Sequence, residues 1–293
     1  MIPPAPIRDI HPGVRCVLAP NPSPMTYTGT NTYLVGTDRV AVIDPGPDDD
    51  THLAAILGAT ADGAQITHVI LTHSHLDHSA LARRLADQVG APIYAFGDSH
   101  AGRRSDLDGI DGLGGGEGVD WSFIPDITLC DGEEIATADW RLSAIHTPGH
   151  MGNHTSLAMG NLLFSGDHVM GWATSMVSPP DGDLRAFMDS LRKLQNRGFT
   201  RFLPAHGDPV ENPEARLKEL LDHRQMRTDQ IRTALAEQAD TPMGLTKRIY
   251  ADVDPRLHGA ALRNVMAHLI DLMDRNQITA APALSLQAIF SPR

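Results

Sequence analysis

The chain has 293 residues, 41% of them apolar and 20% charged, so it can bury a sizeable core and is not a disordered polyelectrolyte. Lys and Arg number 24 against 36 Asp and Glu, a net charge of -12, which repels long polyanions unless basic residues gather locally. Two cysteines, Cys16 and Cys130, exclude a disulfide scaffold or a cysteine zinc module; with no apolar leader and no run of about 18 apolar residues, a cytoplasmic protein without a membrane span is expected.

Short strands are predicted at NTYLVG (31–36) and RVAVIDPG (39–46), the second closed by an Asp44-Pro45-Gly46 turn. A helix follows near 50–59, then a strand, THVILTH (67–73). Residues 79–89 carry Leu81, Leu85 and Val89 at four-residue spacing, an amphipathic helix with Ser79 placed to cap it. PIYAF (92–96) is another strand, and the glycine-rich stretch 101–120 reads as a flexible loop. From 121 to 170, strands separated by glycine turns dominate: ITLCDGEEI, WRLSAIHTPGH, TSLAMG and NLLFSGDHVM. A helix from Leu184 to Gln195 precedes a last strand, FTRFLPAHG (199–207). Asn212-Pro213-Glu214 combines a cap, a first-turn proline and an acid, and opens a long charged helix to about 237. After Thr241-Pro242, helices at 243–250 and 255–273 and short strands near 278–279 and 285–290 outline a winged helix. The expected division is a catalytic domain 1–211, a connecting helix 212–240 and a winged-helix domain 241–293.

Histidines carry the chemistry. In His73-Ser74-His75-Leu76-Asp77-His78, residues 73 and 75 face the same way if the strand end is extended. The chain then turns, so Asp77 and His78 can address a second point nearby. Three nitrogens and a carboxylate suit a borderline cation such as zinc. His150, Asp167 and His206 stand at the ends of later strands. Together with the first motif they fit a two-metal site in which one carboxylate bridges.

The order HxHxDH, then TPGH, then GD, then a late His before Gly resembles the metallo-beta-lactamase superfamily. TGTNTYLVG (28–36), SGDHVMG (165–171), the His223-Arg224 pair and the terminal winged helix resemble its beta-lactamase-like protein 2 family. The resemblance implies an α/β fold, a four-layer αβ/βα sandwich with the metals at one edge. It implies two Zn2+ ions, one held by His73, His75 and His150, the other by Asp77, His78 and His206, with Asp167 bridging. Asp44 would orient a metal-binding histidine from behind. Met151, Ala205 and a terminal hairpin without lysines depart from the family's pattern.

His154 is read as a proton donor to substrate or, alternatively, as a histidine stabilising the loop, whereas His146 and His168 read as packing residues or supports behind the ligands and His68 as a surface residue. Tyr27 and Tyr33 are candidates for the cleft mouth, and the Gly/Pro-rich loop Gly171–Asp183 is expected to shape access to the metals. Residues 240–293 hold six basic and five acidic groups, against 18 and 31 in residues 1–239. So weak a charge step favours packing or homodimer contact by the winged helix over duplex binding. The expected enzyme is a dinuclear zinc hydrolase in which Asp77 orients the attacking water. Cleavage of a phosphodiester in single-stranded RNA, an activity associated with one branch of the resembled family, ranks first. A small ester, thioester or lactone is the alternative substrate, favoured by the acidic surface. A non-catalytic zinc-binding regulator is the alternative of another class.

Overall fold

The computed structural model describes residues 7–60, 63–110, 113, 115–252, 254, 256 and 258–293. Among them, the first sheet holds seven strands in chain order: β1 (Arg8–His11), β2 (Val14–Leu18), β3 (Asn31–Val35), β4 (Arg39–Ile43), β5 (Gln65–Ile70), β6 (Ile93–Ala95) and β7 (Ile127–Thr128). Pairing is antiparallel up to β4 and parallel from β4 to β7. The parallel part needs crossovers; α1 (Asp50–Gly58) supplies the first, and α2 (Leu76–Ser79) with α3 (Ala82–Val89) the second. The second sheet comprises β8 (Glu134–Ala136), β9 (Arg141–His146), β10 (Thr155–Met159), β11 (Leu162–Gly166) and β12 (Arg201–Pro204), in the order β12-β11-β10-β9-β8.

Side-chain alternation along each strand creates the layers. In β4, Val40 and Val42 pack with Ile56 of α1 and Leu85 of α3 on the outer face. Ala41 and Ile43 point the other way, against Leu157, Phe164 and Leu203 of the second sheet. The far face of that sheet, through Leu163 and Phe202, takes α4 (Leu184–Leu194) and α5 (Pro213–Glu237). Helix, sheet, sheet, helix is the expected αβ/βα sandwich. Burying a side chain such as Phe164 contributes about 2–3 kcal/mol, far more than an exposed ion pair, so the apolar seams hold the layers together.

The Asn212 side chain accepts from the Ala215 N–H at the start of α5, and Pro213 occupies the first turn, as the sequence requires. Beyond α5 come α6 (Pro242–Ile249), α7 (His258–Asp274) and a hairpin of β13 (Ile278–Ala281) and β14 (Ile289–Pro292). Val265, Leu269 and Leu272 of α7 close on Ile231 and Leu235 of α5, which docks the helix–helix–hairpin unit onto the long helix. Ile249 packs at the edge of this cluster, and Leu262 is half-buried outside it.

Several expectations are corrected. The strand drawn through His73 stops at Ile70, because the Asp44 carboxylate captures the Thr72 N–H at 2.8 Å. Ser79 caps nothing: it ends α2, and its hydroxyl donates to the His75 carbonyl at 3.0 Å. The described part of the 101–120 loop is anchored, with Leu107 and Leu113 buried and Arg104 paired to Asp183 and Asp274. Positions 111, 112 and 114 of that loop, 255 and 257 of the second winged-helix helix, and the first six residues lie outside the described residues. The final strand begins at Ile289 rather than near Ser285. Among the described residues no helix is long and apolar enough to cross a membrane.

Candidate metal centre

The ends of four strands converge on one edge of the sandwich. His73 and His75 follow β5, Asp77 and His78 sit in α2, His150 lies in the turn after β9, Asp167 follows β11, and His206 follows β12. Each is delivered by local geometry. Gly149 takes φ 141° and packs so closely on α4 that a Cβ there would stand 2.3 Å from the Phe187 Cα, so TPGH needs its glycine. Gly166, at φ 53°, turns the chain from β11 into Asp167. Asn31 of the TGTNT segment clamps the last loop, donating from Nδ2 to the carbonyls of Pro204 (3.0 Å) and Gly207 (2.8 Å) on either side of His206.

Two triads form. Ligand atoms of His73, His75 and His150 all lie within 4.8 Å of one another, as do those of Asp77, His78 and His206. Asp167 stands between them: Oδ2 is 3.6 Å from His150 Nε2, while Oδ1 is 3.3 Å from His206 Nε2 and 3.7 Å from His78 Nε2. Asp77 Oδ2 adds contacts of 3.2 Å to His206 Nε2 and 3.4 Å to His78 Nε2.

Hydrogen bonds on the far side of each ring tell which nitrogen carries a proton. His78 Nδ1 donates to Asp44 at 3.0 Å. The Thr72 hydroxyl also donates to Asp44, at 2.7 Å, and therefore accepts from His73 Nδ1 at 3.1 Å. His150 Nδ1 donates to the Met176 carbonyl (2.7 Å) and His206 Nδ1 to the Gly29 carbonyl (3.1 Å). In all four rings the Nε2 lone pair is thereby aimed at the centre. Lone pairs facing each other or a carboxylate repel unless a cation lies between them. His78 Nε2 and Asp167 Oδ1 are buried with no hydrogen-bond partner, and His75 Nδ1 lies 2.9 Å from His73 Nε2 and 3.0 Å from His150 Nε2, where one proton cannot serve both. The donor set fits divalent cations.

The electrostatics agree. Burial alone would lower His206, but the carboxylates of Asp167 and Asp77 push it up to about 10. His78 is likewise held well above the usual imidazole range by Asp77, Asp167 and Asp44 despite its burial. On the other side, burial and His150 push His75 down to about 3. Asp77 and Asp167, which burial would raise, are both held far below the carboxylate range by the facing histidines.

His154 needs correction. It is fully buried, its Nδ1 lies 2.9 Å from the Thr147 hydroxyl, and its ring packs 5.2 Å from that of His73, behind the cluster. A proton donor to substrate needs access, and His154 has none. His146 stacks on Phe96 at 3.6 Å and His168 packs edge-on against Phe187, the expected packing roles. His68 is not a free surface residue: it stacks on Tyr94 and meets the edge of Trp140. Tyr33 is buried with its hydroxyl donating to the Pro204 carbonyl at 2.8 Å, while Tyr27 is exposed and stacks on Trp172.

A cavity of about 350 Å³ opens over the cluster, floored by His75, Asp77, His150, Asp167 and His206. Met25 and Thr26 line it, and the Gly171–Asp183 loop contributes Met176, Ser178 and Asp181, the access role expected of that loop. Glu117 and Arg263 also line it. Arg263 comes from α7, so the C-terminal unit supplies part of the wall; its guanidinium pairs with Glu117 and donates to Ser178 Oγ at 3.0 Å. Neither residue lies in a motif, and no local pattern marks them.

Residues 25–206 match the metallo-beta-lactamase superfamily, and residues 241–283 match the beta-lactamase associated winged helix domain. A beta-lactamase-like protein 2 homolog of Caenorhabditis elegans is 32% identical over 270 residues, 89% of this chain and 84% of that protein. An atrochrysone carboxyl ACP thioesterase of Aspergillus fumigatus is 28% identical over 290 residues, 90% of this chain and 84% of that protein. A beta-lactamase domain protein of Burkholderia ambifaria has the same fold, with a TM-score of 0.81 at 21% identity, covering 98% of this chain and 93% of that one. With its histidine and aspartate triads, its four layers and its C-terminal winged helix, the chain belongs to the metallo-beta-lactamase superfamily, among the beta-lactamase-like protein 2 homologs.

Proposed function

We propose that this chain is a dinuclear zinc hydrolase acting on a small acyl ester or thioester. His73, His75 and His150 would hold one ion, Asp77, His78 and His206 the other, with Asp167 reaching both and Asp44 fixing the rings of His73 and His78. Bound there, divalent ions supply Lewis acidity that polarises a carbonyl and acidifies water. The chain's own part is positional. Asp77, with 29% of its side chain exposed against 10% for Asp167, is the carboxylate open to the cavity. It accepts a hydrogen bond from the attacking water and takes its proton. The catalytic work falls to residues 1–211, with 241–293 walling the cavity through Arg263.

One observation carries the choice of substrate. Beyond Asp77 and Asp167, whose charge the bound ions would offset, the described lining offers Glu117, Asp181 and one guanidinium. Arg263 is paired with Glu117 and Asp181 with Arg103, so among the described residues no unpaired cation lines the cavity. A single-stranded RNA needs a basic track for its successive phosphates, and this lining weighs against that first expectation. Met25 and Met176 suit an acyl group. The thioesterase name of the Aspergillus fumigatus relative supports the same reading.

The test sets acetyl and longer acyl thioesters, a lactone and a single-stranded RNA against the zinc-loaded chain and the chelated chain. Zinc-dependent acyl hydrolysis exceeding RNA cleavage in kcat/KM is expected. Faster RNA cleavage overturns the substrate class. No turnover of any of them with zinc bound favours a non-catalytic zinc protein instead.

A further inference from the structure

A second cavity, of about 210 Å³, is also lined by Arg263. Its wall is apolar, from Leu113, Pro179, Leu262, Met266 and Leu286, with Gly259 at one side. The same three segments line both cavities. Leu113 and Glu117 share one loop, Pro179 follows Ser178 in the next, and Arg263 lies between Leu262 and Met266 on α7. The metal cavity and the apolar cavity thus share Arg263 as a common wall, the polar residues of these segments lining the first and their apolar neighbours the second. A volume of this size holds about seven water-sized groups, and a methylene is similar in size.

We infer that the apolar cavity between α7 and the 113 and 179 loops is a tail subsite, receiving the aliphatic chain of an acyl substrate whose carbonyl sits at the histidine–aspartate cluster. The inference rests on the acyl-ester reading above and deepens it: the substrate class becomes a medium-chain acyl ester or thioester, and the winged-helix unit becomes its chain-length gauge. Adjacency supports this occupant, since the cavity has Arg263 in common with the metal cavity. Chemistry supports it too. Among the described residues, the lining outside Arg263 offers no charged side chain to a polar ligand, and the aliphatic stem of Arg263 can flank a passing chain while its guanidinium stays with Glu117.

Gly259 allows a direct test. Gly259 is exposed in the first turn of α7 and lines the cavity, and a Cβ added there meets no atom within 4 Å, so Gly259→Leu brings a side chain to the cavity rim. Straight-chain fatty acids from acetate through octanoate to dodecanoate, the products such a reaction releases, are titrated calorimetrically into the zinc-loaded full chain. Affinity is expected to climb about fourfold for each methylene buried and then level off once the cavity is full. Gly259→Leu is expected to flatten that climb, and Leu262→Trp, which blocks from another residue, to do the same. A flat series in the wild type overturns the subsite. So does an unchanged slope in the two variants, since it places the tails elsewhere. Binding is read without turnover, so the two readings fail separately: lost thioester hydrolysis with an intact slope sinks the reaction, and hydrolysis with a flat slope sinks the subsite.

Discussion

Asp44 accepts a 3.0 Å hydrogen bond from Nδ1 of His78, and this contact turns the His78 Nε2 lone pair toward Asp77 and Asp167. The same carboxylate holds the Thr72 hydroxyl, which in turn accepts from His73 Nδ1, so one residue fixes a ring in each triad. Asp44 sits at φ 50°, in the left-handed region, where aspartate and asparagine are tolerated better than most side chains.

Asp44→Asn keeps that backbone and volume but replaces an acceptor oxygen by an amide donor. The tautomers of His73 and His78 lose their anchor, and metal affinity is expected to fall about 10–100-fold. Competition against a chromophoric chelator measures it. Wild-type affinity in the variant would show that Asp44 serves only the turn.

His52 is a second buried histidine with a different consequence. Its Nε2 lies 2.8 Å from the Thr32 hydroxyl, Nδ1 has no partner, and burial pushes it down to about 4. The unfolded chain, titrating near 6.5, takes a proton that the folded chain refuses. Stability is therefore full above about pH 6.5 and declines toward pH 4, by up to about 3 kcal/mol from this group. Urea midpoints of chelated protein at pH 7 and pH 5 are expected to converge more in His52→Gln than in the wild type. An equal pH dependence in both assigns the acid sensitivity to other histidines.

Arg224 of the His223-Arg224 pair is buried beneath the access loop. It donates to Asn264 Oδ1 at 2.8 Å and to the Ser175 carbonyl, lies 5.2 Å from the Phe187 ring centre, and burial lowers it to about 10. It ties α5 and α7 to the loop that follows Asp167. Arg224→Leu leaves both acceptors without this donor, and a loss of about 2–4 kcal/mol is expected in denaturant unfolding. A loss below about 0.5 kcal/mol would mean that the loop finds other donors.

What was legible in the sequence follows from how local each signal is. The strands β3 and β4, the capped start of α5 and the cluster His73, His75, Asp77 and His78 are written in contiguous residues, and the structure places them nearly as read. Strand ends were less legible: β5 stops at Ile70 because of Asp44, 28 residues from Thr72, a contact no local pattern encodes. Ser79 looked like a cap because serine before an apolar period is a local cue, yet α2 already occupies that turn. His154 is spaced like a site residue but faces Thr147 and the protein interior. Glu117 and Arg263 come together across 146 residues, so the cavity's charge, on which the substrate depends, could not be read from any segment.

Asp167 presents one oxygen to each triad. Metal-replete wild type is expected to hold two zinc equivalents, since seven ligands exceed what one tetrahedral ion accepts. Asp167→Ala removes the shared ligand, and elemental analysis after mild dialysis is expected to approach one equivalent. Two equivalents with full activity would make Asp167 structural only.

Asp77 separates chemistry from folding. Its carboxylate lies 3.2 Å from His206 Nε2, lines the cavity floor, and belongs to the first turn of α2 rather than to an apolar seam. Asp77→Ala removes a ligand of one triad and the carboxylate nearest the attacking water, while His73, His75 and His150 remain. Turnover of the best wild-type substrate is expected to fall about 10²–10⁴-fold at matched metal content, the range for losing a positioned proton acceptor. Thermal unfolding should move little, because the lost helix-terminus attraction is worth only about 0.3–1 kcal/mol. Asp77→Asn, nearly the same shape but a poorer base, is the control: it should fold like the wild type and turn over like Asp77→Ala. Normal turnover in either variant refutes the catalytic role, and normal turnover in Asp77→Asn alone reduces Asp77 to a metal ligand.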